Sequence, residues 1–474
     1  MTLPSSSQPP GTTAPIASVC VCRRRFGSVK ALEQHQRNKP CPISPVPATA
    51  NEATPGIVKS QVSAAETAAS TPVKNKEKKK KKQKAAPTFK TEDQRDQWMA
   101  KGAGELVETI NSQSLEPVDV PVSSRDGHEL ICSYSWMHSR VPTVCVPGAA
   151  PKWAPLPLPI QIPKDSGVQY VDQNAARVPR YPFEVLFQAT EVMNPGFRFD
   201  GVDVLVNRSS LRRLFDFCRR HKQDSFRLNL FALNNTLIID RCEKKAKIRV
   251  QGSTSTGFGH SFETHFTQLP SGMETSSGYH RVLQYNLGGL TCAVRFEVDA
   301  YYHDHGLTPT PSQAGDENTE QAAASNTPVQ LAINGQVKVI QRGSTAPQST
   351  IAEIKTRPRK RNLHSELSQT MPQLWFGRTP YFILGGHSSG SFEAIDVRYN
   401  TPGKFEAWET SNQGSLCKLA RLLGLLRDAV KGTPERSCVA IMQRGAESMC
   451  LEIFRSTHGR KPLPDPVVKM FWTE

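Results

Sequence analysis

Residues 295–302 read RFEVDAYY and residues 351–357 read IAEIKTR. In both runs apolar or aromatic residues alternate with charge, the period-two pattern of a half-buried β-strand. Glu297 and Asp299 stand two residues apart in the first and so share a face; Glu353 and Lys355 do the same in the second, with Ile354 on the opposite side. Either pair alone reads most simply as solvent-facing charge. Together they supply what metal-assisted phosphodiester hydrolysis needs: carboxylates to gather hard cations, and an amine to orient water and meet developing charge.

Outward from these runs, FRLNLFAL (226–233), NTLIIDRC (235–242) and YFILGG (381–386) read as further strands. LRRLFDFCRR (211–220) and GSLCKLARLLGLLRDAVKG (414–432) read as helices, the second spacing its leucines at three and four residues and stopping near Gly432. The expected fold class is α+β, a mixed β-sheet nuclease-like core flanked by helices behind a long disordered N-terminal region. A helix is also expected within 91–110, where TEDQRDQWMAKGAGELVETI places Trp98 and Leu106 among its apolar positions. The expected organisation is disorder over 1–18, a cysteine/histidine segment over 19–41, a basic linker over 42–87, a helical or linker segment over 88–124, and one domain over 125–474. Polar low-complexity sequence at 304–349 reads as a disordered insertion in that domain.

An acid, then an acid-x-lysine on a following strand, resembles the PD-(D/E)xK nuclease pattern, and the order of motifs from about residue 125 onward resembles a divergent fungal-type member of the DXO-like decapping exoribonucleases. NRSSLRRLF places Arg208 where that family opens a helix with arginine, and GFGHSFE offers Glu263. Glu297 and Asp299 match its E-x-D strand, Glu353, Ile354, Lys355 and Thr356 its E-h-K-T strand, and PQLWFGRTPYFILGG puts Gln373 at its last motif. The resemblance implies Mg2+ or Mn2+ held by Glu263, Glu297, Asp299 and Glu353, with catalysis resting on Glu353, Lys355 and Gln373 and with Arg208 on the RNA backbone. It further implies RNA as substrate, removal of incomplete or non-standard 5′ caps, 5′–3′ degradation, and a 5′–3′ exoribonuclease as a partner. Phe296 stands where the family has a small residue, and His260 is an added group near Glu263.

Charge points the same way. The formal net charge is +16, and KNKEKKKKKQK at 74–84 carries eight lysines against one acid, Glu77. Such a run is a solvated tail, a nuclear-import signal or a polyanion contact. Ahead of it, CVCRRRFGSVKALEQHQRNKPC (20–41) keeps part of the spacing of a two-Cys, two-His zinc finger around Phe26 and Leu32, so Zn2+ on Cys20, Cys22, His35 and Cys41 is expected. The eleven cysteines are odd in number and sit mostly in apolar runs such as LTCAVRF, which suits reduced thiols. No leader pattern or apolar stretch of membrane length is present, so a nuclear or nucleocytoplasmic setting with no membrane partner is expected.

Several functions are set aside. GHSSG (386–390) fits the G-x-S-x-G elbow of serine hydrolases, but SFEAIDV follows with strand composition, so the segment reads as a β-hairpin. No two aspartates are adjacent, which removes an aspartate-rich diphosphate site. Two rivals to a hydrolase stay open: a catalytically silent nucleic-acid-binding or adaptor protein, and a DNA-binding regulator built on the finger.

Overall fold

A computed structural model describes residues 18–19, 25–26, 96–250, 257–303, 331, 335–359, 363–445 and 449–473. Residues 1–85 and 86–474 are separate units. In the first, Ser18–Val19 pairs antiparallel with Arg25–Phe26. Cys20, Cys22, His35 and Cys41, the candidate zinc ligands, and the lysine run lie outside the described residues. No described helix is long and apolar enough to cross a membrane.

The second unit is α+β, with a mixed eleven-stranded sheet and a seven-stranded sheet. At the centre of the large sheet, Ser276–Leu287 and Leu290–Val298 form an antiparallel hairpin, and Leu290–Val298 also pairs in parallel with Val204–Asn207. One face of this sheet packs on the helices Arg208–Cys218 and Pro402–Lys431 through Leu211, Phe215, Leu419, Leu423 and Leu426. The long helix starts at Pro402, whose fixed φ and missing N–H suit a first-turn position. The other face packs on Glu184–Met193 and Asp465–Phe471, where Phe187, Phe199, Phe471 and Trp472 interlock.

The chain leaves the large sheet at Val298 and enters the small one at Ala300–Tyr301, which pairs antiparallel with Ile351–Pro358. RFEVDAYY is therefore not one strand. Asp299 sits at the crossover, and this join brings the two acidic runs to one place. In the small sheet Ile351–Pro358 runs parallel to Tyr381–Ser388, which turns into Ser391–Tyr399. Ser389 and Gly390 take positive φ (53° and 92°) in the turn, so GHSSG is a hairpin, as its sequence suggests.

Two sequence expectations are corrected. The described part of 91–110 is not one helix: among residues 96–110, Gln97–Ala100 turns as 3-10, and Ala103–Asn111 is a strand pairing with Cys450–Ser456 at one edge of the large sheet. Gly102, at φ 73°, ends the helical register there, and the Val, Thr and Ile that follow fit a sheet edge. The sheet thus takes in residues before 125 that read as helix or linker. Disorder does not extend to 349, because Lys338–Gly343 pairs in parallel with Thr143–Gly148 at the opposite edge, with Val337 and Val339 buried. Within the domain expected from 125, Glu129–Met137 is a core strand.

Candidate active site

Glu353 is the hub. Its carboxylate is 1% exposed. Arg208 Nη2 donates to its Oε2 at 3.1 Å, while Lys355 Nζ and Gln373 Nε2 both donate to its Oε1. Gln373 is oriented in turn by Arg212 Nη1, which donates to its Oε1 at 3.0 Å from one turn beyond Arg208 on the same helix. Arg208 also donates to the carbonyl of Glu297 at 3.3 Å and lies over the Phe296 ring. Phe296, a departure from the resembling family, thus serves as a platform for the arginine.

Asp299 is tied to the second strand: its Oδ2 accepts from the Ile354 N–H at 2.8 Å and lies 3.8 Å from Lys355 Nζ. Glu297 opens onto a pocket beside Arg208. Glu263, on the helix Gly259–Phe266, faces His260 Nδ1 at 3.7 Å. Its charge acts on Glu297, Asp299 and Lys355 alike. The chain thus gathers Arg208, Glu297, Asp299, Glu353, Lys355 and Gln373 through direct contacts, with Glu263 at the rim.

The electrostatics show too many acids for the cations present. Burial disfavours the charge on Glu353, yet Lys355 and Arg208 outweigh it and hold its pKa below the usual carboxylate range. Asp299 goes the other way: burial, then the neighbouring Glu353 charge, raise it well above that range. Glu297 is exposed toward the pocket, and desolvation by its neighbours, then the charge on Glu263, raise it to about 7. His260 is raised, first by its hydrogen bond to Glu263.

Carboxylate oxygens suit Mg2+ or Mn2+, and the raised Asp299 and Glu297 are the mark of an acidic cluster short of positive charge. Among the described residues, however, no three carboxylate, imidazole or thiol groups lie close enough together to clasp an ion. The Lys355 ammonium stands where it touches both Glu353 and Asp299. Donor chemistry fits a hard cation; the side chains as placed pair with each other instead.

Sequence reasoning missed the polar wall beyond Glu297: Asn174, Asn207, His280 and Arg295, all buried. Arg295 had a readable signal, since it lies two residues before Glu297 and so shares its face. His280 is paired across the sheet with Glu297 and stacked on Tyr134. Burial, followed by the charges of Arg295 and Arg208, lowers its pKa to about 3, so it is neutral in the fold. A depressed histidine adds stability that is full above the unfolded value of about 6.5 and is lost as pH falls toward the folded one. The difference in unfolding free energy between wild type and His280→Gln is therefore expected to shrink by about 3 kcal/mol from pH 6.5 to pH 4. Denaturant melts across that range check it, and a difference that does not change with pH refutes it.

The family model described as "Domain of unknown function (DUF8563)" matches residues 105–472, most of the chain. The protein belongs to the DUF8563 family. No curated protein matches it. Among solved structures, the DUF8563 chain is similar to Candida albicans Rai1 in complex with pU5-Mn2+ (11% identity, TM-score 0.49, covering 77% of this chain and 98% of that one). It is similar also to S. pombe Rai1 in complex with 3′-FADP (12%, TM-score 0.46, 73% and 98%) and to K. lactis Dxo1 in complex with manganese (10%, TM-score 0.42, 74% and 96%).

Proposed function

We propose that this DUF8563 protein is a divalent-metal-dependent hydrolase acting at RNA 5′ ends, by decapping, by 5′–3′ exonucleolysis, or both. The observation that supports it most is the meeting at one crossover of the buried Glu353 with Asp299, Lys355, Gln373 and Arg208, beside Glu297. Gathering acids this closely around one buried carboxylate is costly, and such costs are characteristically kept at functional sites. In this reading Glu263, Glu297, Asp299 and Glu353 hold the cation. Bound there, it would lower the pKa of a water and neutralise charge on the phosphate. Lys355 swings from Glu353 toward the attacked phosphate, orients the nucleophile and stabilises developing charge. Gln373, fixed by Arg212, positions the same oxygen, and Arg208 holds the RNA backbone. The lysines of 74–84 add salt-sensitive, sequence-independent RNA affinity.

A silent adaptor is favoured by one observation, that Glu353 is already neutralised by two cations of its own chain. Incubating the full chain with 5′-triphosphate, NAD-capped and 5′-monophosphate RNAs, with Mn2+, Mg2+ or EDTA, separates the two. Product that depends on the metal and on Glu353 is expected. No product from any 5′ end with either metal refutes the hydrolase and leaves the adaptor.

A further inference from the structure

The small sheet carries an aromatic stack that the acidic site does not use. Ala300 pairs with Ala352, Ala352 with Tyr381 and Tyr381 with Tyr399, so the four lie in one cross-strand row and share a face. Tyr302 follows Ala300 by two residues and so joins that face, its N–H donating to the Thr350 carbonyl at 2.7 Å. The small side chain of Ala352 leaves room above the intervening strand. Tyr302 therefore meets Tyr381 across it, with ring centroids 4.8 Å apart and planes inclined by 33°, and Tyr381 meets Tyr399 at 5.0 Å and 49°. Glu353 and Lys355 alternate with Ala352 and Ile354 along their strand, so they point to its other face. The stack stands on the reverse of the sheet from the acids.

Exposure rises along the stack. Tyr302 and Tyr381 are half-buried against the cluster of Trp153, Phe262 and Ile383, whereas Tyr399 is 44% exposed and Val397, on the same face, 36%. Ile160–Gln161 pairs only with Ser391 and Phe392, so among the described residues no strand flanks Tyr399 on its outer side. The charge beside it is positive. Lys404, exposed in the first turn of the long helix, donates Nζ to the Tyr399 carbonyl at 2.9 Å. The nearest acid along the strand, Asp396, lies on the other face and pairs with Arg398 at 2.9 Å. An open-ended stack of rings with an ammonium at its exposed member matches a nucleotide of an unpaired strand, the base against the ring and the phosphate against the cation. A proline-rich peptide also fits aromatic rings, but it gives Lys404 no anion to meet.

We propose that Tyr399 stacks an unpaired base of a single-stranded nucleic acid, extending the row of Tyr302, Tyr381 and Tyr399 by one ring, with Lys404 on the adjoining phosphate. That the strand is RNA rests on the hydrolase reading; the base site does not. The platform is an anchor apart from the catalytic acids, and it tolerates any sequence because every base has a π-face.

The test uses the full chain in EDTA, so that nothing is cleaved. Fluorescence anisotropy compares oligoadenylate RNA with an abasic strand of the same length and charge. Tyr399→Ala is expected to weaken oligoadenylate binding by about tenfold, roughly 1.4 kcal/mol, and to leave the abasic strand within about twofold of wild type. Tyr399→Leu, apolar but without a ring, should behave like Tyr399→Ala, and Tyr399→Trp should match or exceed wild type. Because Tyr399 is exposed, all three should melt with wild type. Lys404→Gln should weaken both strands and flatten the salt dependence by about one counterion. Equal oligoadenylate binding by wild type and Tyr399→Ala overturns the platform, as does a loss equally large for the abasic strand. Tyr399-dependent binding of oligodeoxyadenylate but not of the RNA overturns RNA as the strand. A proline-rich peptide that binds wild type and not Tyr399→Ala, with oligoadenylate binding the same in both, assigns the rings to a protein partner and overturns the proposal. Absence of metal-dependent cleavage in a separate assay refutes the hydrolase alone, since anisotropy still reads the base site.

Discussion

Glu353→Gln is expected to lower metal-dependent hydrolysis by at least about 100-fold, the loss of roughly 2.7 kcal/mol of transition-state stabilisation. The substitution keeps volume and one acceptor but removes the charge that Arg208, Lys355 and Gln373 all address. Stability should fall less than activity. Breaking an isolated buried ion pair costs about 3–5 kcal/mol because a bare charge remains. Here Asp299 already stands 3.8 Å from Lys355 Nζ and can take over that cation. Arg208 retains the Glu297 carbonyl. Initial rates with Mn2+ alongside denaturant melts measure both effects. Wild-type rates in this variant would remove Glu353 from the chemistry; a loss of stability equal to the isolated-pair value would rule out Asp299 as the second partner of Lys355.

Trp375→Ala is expected to destabilise the fold by about 4 kcal/mol or more. The indole is fully buried, meets Phe376, Trp408 and Tyr285, and has Arg378 over its face at 4.1 Å. Its Nε1 donates to Glu409 Oε1 at 2.7 Å, so truncation leaves both a cavity and a buried carboxylate missing a donor. For a protein whose whole stability lies in the usual range of roughly 5–15 kcal/mol, that is a large share. Trp375 sits on the helix Leu363–Phe376 two residues after Gln373, so activity should drop together with stability. Trp375→Phe, which keeps most of the volume, should recover more than half of the loss. Equal melting midpoints for Trp375→Ala and wild type would contradict the packing described.

What could be read in the chain followed from periodicity. Glu297, Glu353 and Lys355 stood out because each shared a strand face with another charge, and the leucines of 416–426 marked the long helix. The crossover at Asp299 was not readable: one residue between two strands leaves no turn signature, so RFEVDAYY looked continuous. Glu129–Met137 lies between neighbours with seven successive residues buried, and a strand covered on both faces shows no alternation to find. Ala103–Asn111 carries charges at spacings that suit a helix as well, and only the free edge beside Cys450–Ser456 decides for a strand. The polar wall beyond Glu297 eluded the sequence for another reason. Asn174, Asn207 and His280 come from three segments, and what makes them informative is which of their atoms lack partners, a property of assembly rather than of order along the chain.

Because Glu297 ends a strand of one sheet, Glu353 begins a strand of the other, and a single residue joins the two sheets between them, the catalytic constellation has no existence in either half alone. Folding must therefore complete both layers before any chemistry is possible. A partly folded chain with one intact layer lacks the assembled acids, so under the proposed function immature molecules leave RNA uncut.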